Sequence, residues 1–258
     1  MNTATHTEQH ALAEVEQNLF ITVPETTLPC VIVDGIITRP GITVPAFQVG
    51  QYLCSEGADG KAVVSATGKP WVGINYADAR QACADAGFAL ITETQALSLA
   101  FNLFQQDANW ISGIVGEGSM FQGLHLDLDD VDEPYAGDFV SPDPTERRAF
   151  YLADGHAVMD AAGNADTWVF DDVQGEANGL IARAFAADSP SIATTPYASM
   201  QRGMGWRPRA GADWSGLALI RGGYWGGGGD AGVFGLNSAR PSNARDCVGF
   251  RCTKPIGL

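Results

Sequence analysis

The sequence has little positive charge, few cysteines and no long apolar run. Its 15 Lys and Arg residues stand against 30 Asp and Glu residues, which gives a formal net charge of −15. Because a negative field of this size repels phosphate groups, the composition argues against binding to nucleic acid. No apolar run reaches the length of a membrane-spanning helix, so we expect no membrane insertion. The polar start, Met1–Asn18, lacks the basic and apolar parts of a secretory signal, so we expect no signal peptide.

Cysteine is both scarce and irregularly spaced. The sequence has only 5 cysteines, namely Cys30, Cys54, Cys83, Cys247 and Cys252. They are too few for a small disulfide scaffold, and no C-x-x-C pair indicates a zinc or redox site. The odd number leaves at least one thiol outside any intramolecular pair.

Common catalytic and metal-binding motifs are absent as well. There is neither a G-x-S-x-G elbow nor an H-E-x-x-H pair. His6 and His10 are four residues apart but lie in the polar start, where we expect no metal site. Gly227–Gly232 matches G-x-G-x-x-G, yet Pro241 follows too soon for the helix and second strand of a dinucleotide site. These observations give no support for a catalytic or metal site, and we expect no cofactor and no metal.

The remaining composition is typical of one globular domain. Apolar residues make up 45% of the chain and charged residues 17%, while 31 Gly and 13 Pro predict many turns. We assign residues 1–19 to a polar N-terminal arm or helix and residues 20–258 to a single domain. Short β-rich runs fill Leu19–Cys54, with turns predicted at Asp34-Gly35 and Pro40-Gly41.

Two helices are the best-marked elements. Asn75 can cap the first, over Tyr76–Ala86. The second follows Thr92, which begins a capping box with Gln95. Its apolar stripe recurs at helical spacing in Leu97, Ala100, Phe101 and Phe104. After Asp107 the helical period disappears, which predicts short strands joined by long ordered loops.

Three separated segments resemble one family. Pro70–Cys83, leading to Leu90–Glu93, is similar to the two-helix segment of formylglycine-generating-enzyme-type C-type-lectin domains. Gly163–Trp168 resembles their G-N-x-W-E-W strand motif, and Arg221–Trp225 with Gly249–Cys252 resembles their R-G-G-x-W and G-F-R-C ending. The resemblance implies an α+β C-type lectin fold, with two helices packed on a small, mostly antiparallel sheet with long ordered loops.

The ending has a narrower match. Asp230–Asn237, Pro241–Asn243 and Val248–Cys252 resemble the variable region of diversity-generating-retroelement target proteins, of which phage tropism determinants are the best-known members. In that family, rewriting of adenines scatters chosen Asn codons over many residue types, but never to Trp, Lys, Glu, Gln or Met. Residues 226–247 contain none of these types.

This resemblance implies a variable ligand-binding region over residues 221–252. Trp225, Phe234, Leu236 and Phe250 are expected to anchor the backbone in the core. Tyr224, Arg240 and Arg245 are expected to be the energetic anchors for a ligand, because Tyr and Arg are enriched at binding hot spots. The residues expected to face solvent and contact the ligand are Tyr224, Gly226, Gly227, Gly229, Asp230, Gly235, Ala239, Arg240, Ala244, Arg245, Asp246 and Cys247.

The resemblance implies receptor recognition by a hypervariable protein that serves in phage or viral host attachment. The expected partner is a cell-surface protein or glycan of a host, together with other virion proteins. The expected location is a virion tail or surface, or another extracellular-facing site.

Two alternatives stay open. A formylglycine-generating-enzyme-type oxidase would need a cysteine pair for copper upstream of G-F-R-C, where only Cys247 stands, and Thr167 replaces the Glu of the strand motif that serves that family's calcium site. An invariant carbohydrate-binding lectin-like domain would carry E-P-N or Q-P-D, and neither occurs. In the resembling enzymes the first-helix cysteine pairs with that of G-F-R-C, which implies a Cys83–Cys252 disulfide.

Overall fold

The computed structural model describes residues 19–128, 133–137, 139–193 and 200–256. The predicted N-terminal arm, apart from Leu19, therefore lies outside the described residues. Leu19 itself begins the domain, and its backbone N–H donates to the Val64 carbonyl at 3.1 Å. No helix within the described ranges is long and apolar enough to cross a membrane.

Helix α1 spans Tyr76–Asp85, one residue shorter than predicted. The Asn75 side chain accepts a hydrogen bond from the Asp78 backbone N–H at 3.0 Å, which satisfies one of the free donors at the helix start. Its buried side chains include Ala79 and Cys83, so this face packs into the core.

Helix α2 spans Glu93–Phe104 and begins with the predicted capping box, in which Thr92 and Gln95 bond reciprocally. Leu97 and Phe104 are buried as predicted, while Phe101 is only half-buried. A single turn, α3 (Pro190–Ala193), packs near α2.

Two four-stranded sheets form the framework, and the first joins the two ends of the domain. Its order is β1-β6-β16-β9, with all neighbours antiparallel. The strands are β1 (Phe20–Val23), β6 (Phe47–Gly50), β9 (Ala89–Leu90) and β16 (Cys252–Pro255).

The second sheet has the order β14-β13-β12-β15. Its strands are β12 (Asp166–Val169), β13 (Ala218–Arg221), β14 (Leu236–Ala239) and β15 (Val248–Phe250). The β12–β15 pair is parallel and the other two pairs are antiparallel. The two outer strands, β14 and β15, belong to the predicted variable region. The sheet therefore fixes the ends of the loops that precede and follow these strands.

Four two-stranded ribbons complete the domain. The ribbon of β3 and β4 turns at Asp34-Gly35, where both residues have positive φ, as the sequence predicts for a tight hairpin. The paired strands are β2 (Thr26–Leu28) with β5 (Ile42–Val44), β3 (Val31–Val33) with β4 (Ile36–Arg39), β7 (Cys54–Glu56) with β8 (Ala62–Val64), and β10 (Ala149–Tyr151) with β11 (Ala157–Met159).

Two arginines link these elements inside the core. Arg221 donates through Nε to Glu93 Oε2 at 2.6 Å, which joins β13 to the start of α2. Arg251 donates to the carbonyl oxygens of Gly50, Met159 and Asp160 at 2.6–2.9 Å. Because both guanidinium groups are buried, these bonds replace the water that each group loses on folding.

Candidate functional site

The closing segment of the chain, residues 221–252, is held in place by buried apolar side chains. Trp225, Phe234, Leu236 and Phe250 are all buried, as predicted. Phe234 packs edge-on against Phe104 of α2 at 6.2 Å between ring centroids, and Phe250 packs against Trp71 at 5.6 Å. The four side chains therefore fix the backbone path between β13 and β16.

Backbone hydrogen bonds order the glycine-rich loop between β13 and β14. The Gly222 N–H donates to Gly235 O at 3.2 Å, and the Gly222 carbonyl accepts from Gly232 N–H at 3.0 Å. Gly223 has φ +87°, and a Cβ there would lie 2.6 Å from Ala231, so only glycine fits at this position. The loop is thus a defined structure despite its four successive glycines.

An open depression of about 380 Å³ lies beside this loop. Its floor includes the start of β12, and its sides include the glycine loop and the segment before β15. The polar and aromatic side chains that line it are those of Asp166, Trp206, Tyr224, Asp230, Asn237, Arg245 and Cys247.

Most of the predicted ligand-contacting residues lie in or near solvent. Asp230, Arg240, Arg245 and Asp246 are exposed, and none of them forms a salt bridge with any residue in the described ranges. Seven of the predicted residues line the depression, namely Tyr224, Gly226, Gly227, Asp230, Gly235, Arg245 and Cys247. Four others are exposed but lie outside its lining, namely Gly229, Arg240, Ala244 and Asp246.

The prediction was wrong for the solvent exposure of Gly235 and Ala239, because both are buried. Ala239 pairs with Ala218 at the end of β14 and packs into the core cluster around α1. Gly235 donates to Gly232 O at 2.7 Å, and a Cβ there would lie 2.9 Å from that oxygen. Neither position can therefore take a larger side chain without disturbing the backbone beneath the site.

Sequence reasoning missed three polar or aromatic side chains of the depression, Asp166, Trp206 and Asn237. Trp206 belongs to a long loop and has no local signal. Asp166 did carry one, because it stands where the G-N-x-W-E-W motif has its first Trp. A carboxylate at a position where the motif has a large apolar ring indicates that the side chain at this position has a different role in this chain.

The Asp166 carboxyl group is shielded from water, with only 8% of the residue exposed. Burial raises the pKa of Asp166 to about 7, against a hydrogen bond from the Gly223 N–H at 3.0 Å and the positive charge of Arg245. Burial likewise raises the pKa of Cys247 to about 11, so at neutral pH this residue is a thiol and a poor nucleophile.

Three other cysteines meet in the core. The Cys252 sulfur lies 3.2 Å from that of Cys83 and 3.0 Å from that of Cys54, and all three are free thiols. The geometry brings together the two cysteines that the resemblance pairs, and it adds Cys54, which the sequence did not indicate. Within the described ranges, no group of three or more His, Cys, Asp or Glu side chains stands in a metal-ligating arrangement.

No protein-family profile and no curated protein sequence matches the chain. Among solved structures it is similar to Treponema denticola variable protein 1, with a TM-score of 0.50 and 13% identity over 92% of this chain and 95% of that one. It is also similar to PvdO from Pseudomonas aeruginosa (TM-score 0.45, 15% identity, 92% and 94% covered). A Major Tropism Determinant I1 variant gives a TM-score of 0.45 and 16% identity over 81% of this chain and 50% of that one. The predicted α+β C-type lectin fold is confirmed.

Proposed function

We propose that this chain is a variable ligand-binding protein of the diversity-generating-retroelement kind, in which residues 221–252 present exchangeable side chains on a rigid C-type lectin scaffold. One observation carries the proposal. Between buried Trp225 and buried Phe250, the side chains of Asp230, Arg240 and Arg245 reach solvent without salt bridges to described residues. Rigid backbone with free outer side chains is the arrangement that recognition surfaces use.

The same arrangement accounts for tolerance of change. An exposed side chain without partners can be replaced at a cost within about 0.5 kcal/mol of stability. Replacement of a buried anchor such as Phe234 costs roughly 3–5 kcal/mol. Diversity at the exposed positions is therefore compatible with an unchanged fold, which a receptor binder facing changing targets requires.

In this proposal the ligand is a cell-surface protein or glycan of a host, and the chain is displayed on a phage or viral particle, where it also contacts other virion proteins. Host attachment follows from the resemblance of the closing segment to tropism determinants. The test of this part is adsorption. Particles or beads that carry the protein should adsorb to host cells, and soluble protein should compete with them.

The oxidase alternative has weaker support from the side chains present. Copper(I) prefers two soft ligands, and Cys247 lines the depression with no second thiol among the lining residues. The three buried cysteines are instead grouped in the core at the start of β16, where Cys252 contacts Cys54 and Cys83. We therefore propose that the chain acts by binding and not by catalysis. Copper-dependent oxidation of a cysteine-containing peptide by the purified protein would contradict this.

A selection experiment tests the proposal directly. One library randomises Asp230, Arg240, Ala244 and Arg245. A matched control library randomises one acid, one alanine and two arginines that are exposed elsewhere, namely Glu117, Ala182, Arg183 and Arg209. Both libraries are displayed and selected against immobilised lysozyme as an unrelated probe protein.

We expect the first library to yield folded binders enriched at least about 10-fold over the control, since Asp230 and Arg245 line one depression and all four positions are exposed between buried anchors. Equal yields from the two libraries, or binders that have lost their cooperative unfolding, would refute a dedicated variable face.

A further inference from the structure

The floor of the depression holds a carboxylate that is only half satisfied. Asp166 Oδ1 accepts from the Gly223 N–H at 3.0 Å. Within the described ranges, Oδ2 has no hydrogen-bond or salt-bridge partner, and it is not fully buried although the residue as a whole is only 8% exposed and lines the depression. A carboxylate oxygen that is largely shielded from water and lacks a protein partner is stabilised by a donor or a cation that reaches it.

Two aromatic side chains, Tyr224 and Trp206, line the same depression as this carboxylate. Tyr224 packs edge-on against Trp225 at 5.6 Å, and Trp206 stacks on Trp214 at 6.2 Å, so neighbouring rings hold both in place. Aromatic rings attract cations, and they attract them more strongly where water is partly excluded.

The fixed charges near the depression are mainly negative. Asp230 lines it, and the Asp127 carboxylate lies close by, 3.8 Å from where a Cβ on Gly226 would stand. Arg245 is the cation among the lining residues, and it is exposed and forms no salt bridge within 4 Å with a described residue. The potential in the depression therefore favours a positive ligand group, as does the net charge of −15.

We infer that the depression takes a cationic side chain of a protein ligand, a lysine ammonium or an arginine guanidinium, and that Asp166 is the residue that selects it. This inference rests on the proposed function and specifies its ligand. The cation would pair with Asp166 Oδ2 between Tyr224 and Trp206, while the exposed residues around the rim contact the surrounding surface. Asp166 lies in β12, outside the variable segment, so the charge preference persists when the rim residues change.

Small probes test the inference without knowledge of the ligand. The probes are n-butylammonium and n-butylguanidinium, with 1-pentanol as the neutral control and butyrate as the anionic one. Binding is measured by chemical-shift titration of the full chain at about pH 8, where Asp166 is ionised. We expect both cations to bind at least about 10-fold more tightly than 1-pentanol, with shifts at Gly223 and Tyr224.

Asp166→Asn removes the negative charge but keeps the hydrogen bond, because the amide oxygen can still accept from the Gly223 N–H. We expect this variant to lose at least about 10-fold in affinity for both cations. Asp171→Asn is the matched control, since Asp171 is also a buried carboxyl group bonded to backbone N–H groups but does not line the depression. Its affinity should stay within about 2-fold of the parent, with unchanged amide spectra in both variants.

Several outcomes would overturn the inference. Equal binding of 1-pentanol would make the depression merely apolar, and tighter binding of butyrate would make Arg245 the anchor for an anionic ligand. Unchanged cation affinity in Asp166→Asn would remove the role of that residue. If these probes fail while the randomised library still yields binders, only the ligand class is wrong. If the library fails and the cations bind, the depression is a cation site without a variable face.

Discussion

Burial sets the protonation of Asp166, and this has a consequence for stability. The ordinary pKa of an aspartate is about 3.9, and burial raises the pKa of Asp166 to about 7 in the folded chain. The folded state therefore holds this proton more tightly than the unfolded state does. The stability contributed by the group is present below about pH 4 and is lost as the pH rises towards about 7.

We therefore expect the free energy of unfolding of the parent chain, relative to Asp166→Asn, to fall by roughly 2–4 kcal/mol between about pH 4 and pH 8. Urea unfolding at four pH values in this range measures it. Of the charged groups near Asp166, Arg245 opposes the shift, while Tyr224 and Cys247 stay neutral over the range because burial raises the pKa of each. Asp230 is present in both the parent chain and Asp166→Asn, so its contribution cancels in the comparison. Parallel stability curves would show that Asp166 is ionised at all these pH values.

Two alanines of the closing segment are expected to differ in their tolerance of substitution. Ala239 is buried against the α1 cluster, whereas Ala244 is exposed. Asparagine at 239 would overfill the core and bury an amide, so we expect Ala239→Asn to lose about 2–4 kcal/mol of stability. Ala244→Asn should change stability by less than about 0.5 kcal/mol. Thermal and urea unfolding compare the two identical substitutions, and similar losses would contradict this assignment of variable positions.

At the scale of elements, the sequence predicts what local chemistry decides. Both helices were predicted because Asn75 and Thr92 act within one turn of the backbone they cap. The Asp34-Gly35 hairpin was predicted for the same reason. The burial of Ala239 could not be predicted, because it depends on pairing between β13 and β14 and on packing against α1. Asp166 joins the depression through the parallel pairing of β12 with β15 and the hydrogen bond from Gly223 after β13, and these segments are far apart in the sequence.

The cysteine cluster shows the same limit. The resemblance pairs Cys83 of α1 with Cys252 of β16, while Cys54 reaches Cys252 from β7 across nearly 200 residues of chain. Cys252 lies within contact of both sulfurs, and the side chains of Cys54 and Cys83 also interact with each other, so a single disulfide can form in three ways.

We expect mild oxidation of the chain during refolding to give one disulfide that contains Cys252, because its sulfur lies 3.0 Å and 3.2 Å from its two neighbours. In Cys252→Ser we expect any disulfide within the cluster to join Cys54 and Cys83, whose side chains also interact. Mass-spectrometric peptide mapping identifies the partner, and Cys83→Ser should direct the bond to Cys54. The bond should add roughly 2–4 kcal/mol to stability, because it closes a long loop in the unfolded chain. Cys30→Ser is the control, since Cys30 is exposed and outside the cluster. A Cys54–Cys83 disulfide in the parent chain would contradict the central position of Cys252.

At the scale of the whole molecule, the closing segment is rigid because its end is tied to both halves of the chain. Arg251 lies directly between β15 and β16, and its guanidinium bonds the carbonyls of Gly50 at the end of β6 and of Met159 and Asp160 at the end of β11. Burial lowers the pKa of Arg251 to about 10, which leaves it charged at neutral pH. One side chain thus couples the first sheet, the middle of the chain and the strand at the end of the closing segment.

This coupling predicts that loss of Arg251 destabilises the protein and weakens binding together. Arg251→Met keeps most of the volume but leaves three buried carbonyls without their donor, so we expect a loss of about 3–5 kcal/mol in the free energy of unfolding. Arg209→Met, at an exposed arginine, should cost less than about 0.5 kcal/mol. Urea unfolding followed by tryptophan fluorescence measures both.

The same variant tests the link between Arg251 and the depression. Val248 of β15 pairs with Asp166 of β12, which lines the depression. Arg251→Met should therefore also weaken n-butylammonium binding at temperatures where the variant is still folded, although Arg251 does not line that depression. Unchanged stability and binding in Arg251→Met would mean that the closing segment is held by its apolar anchors alone.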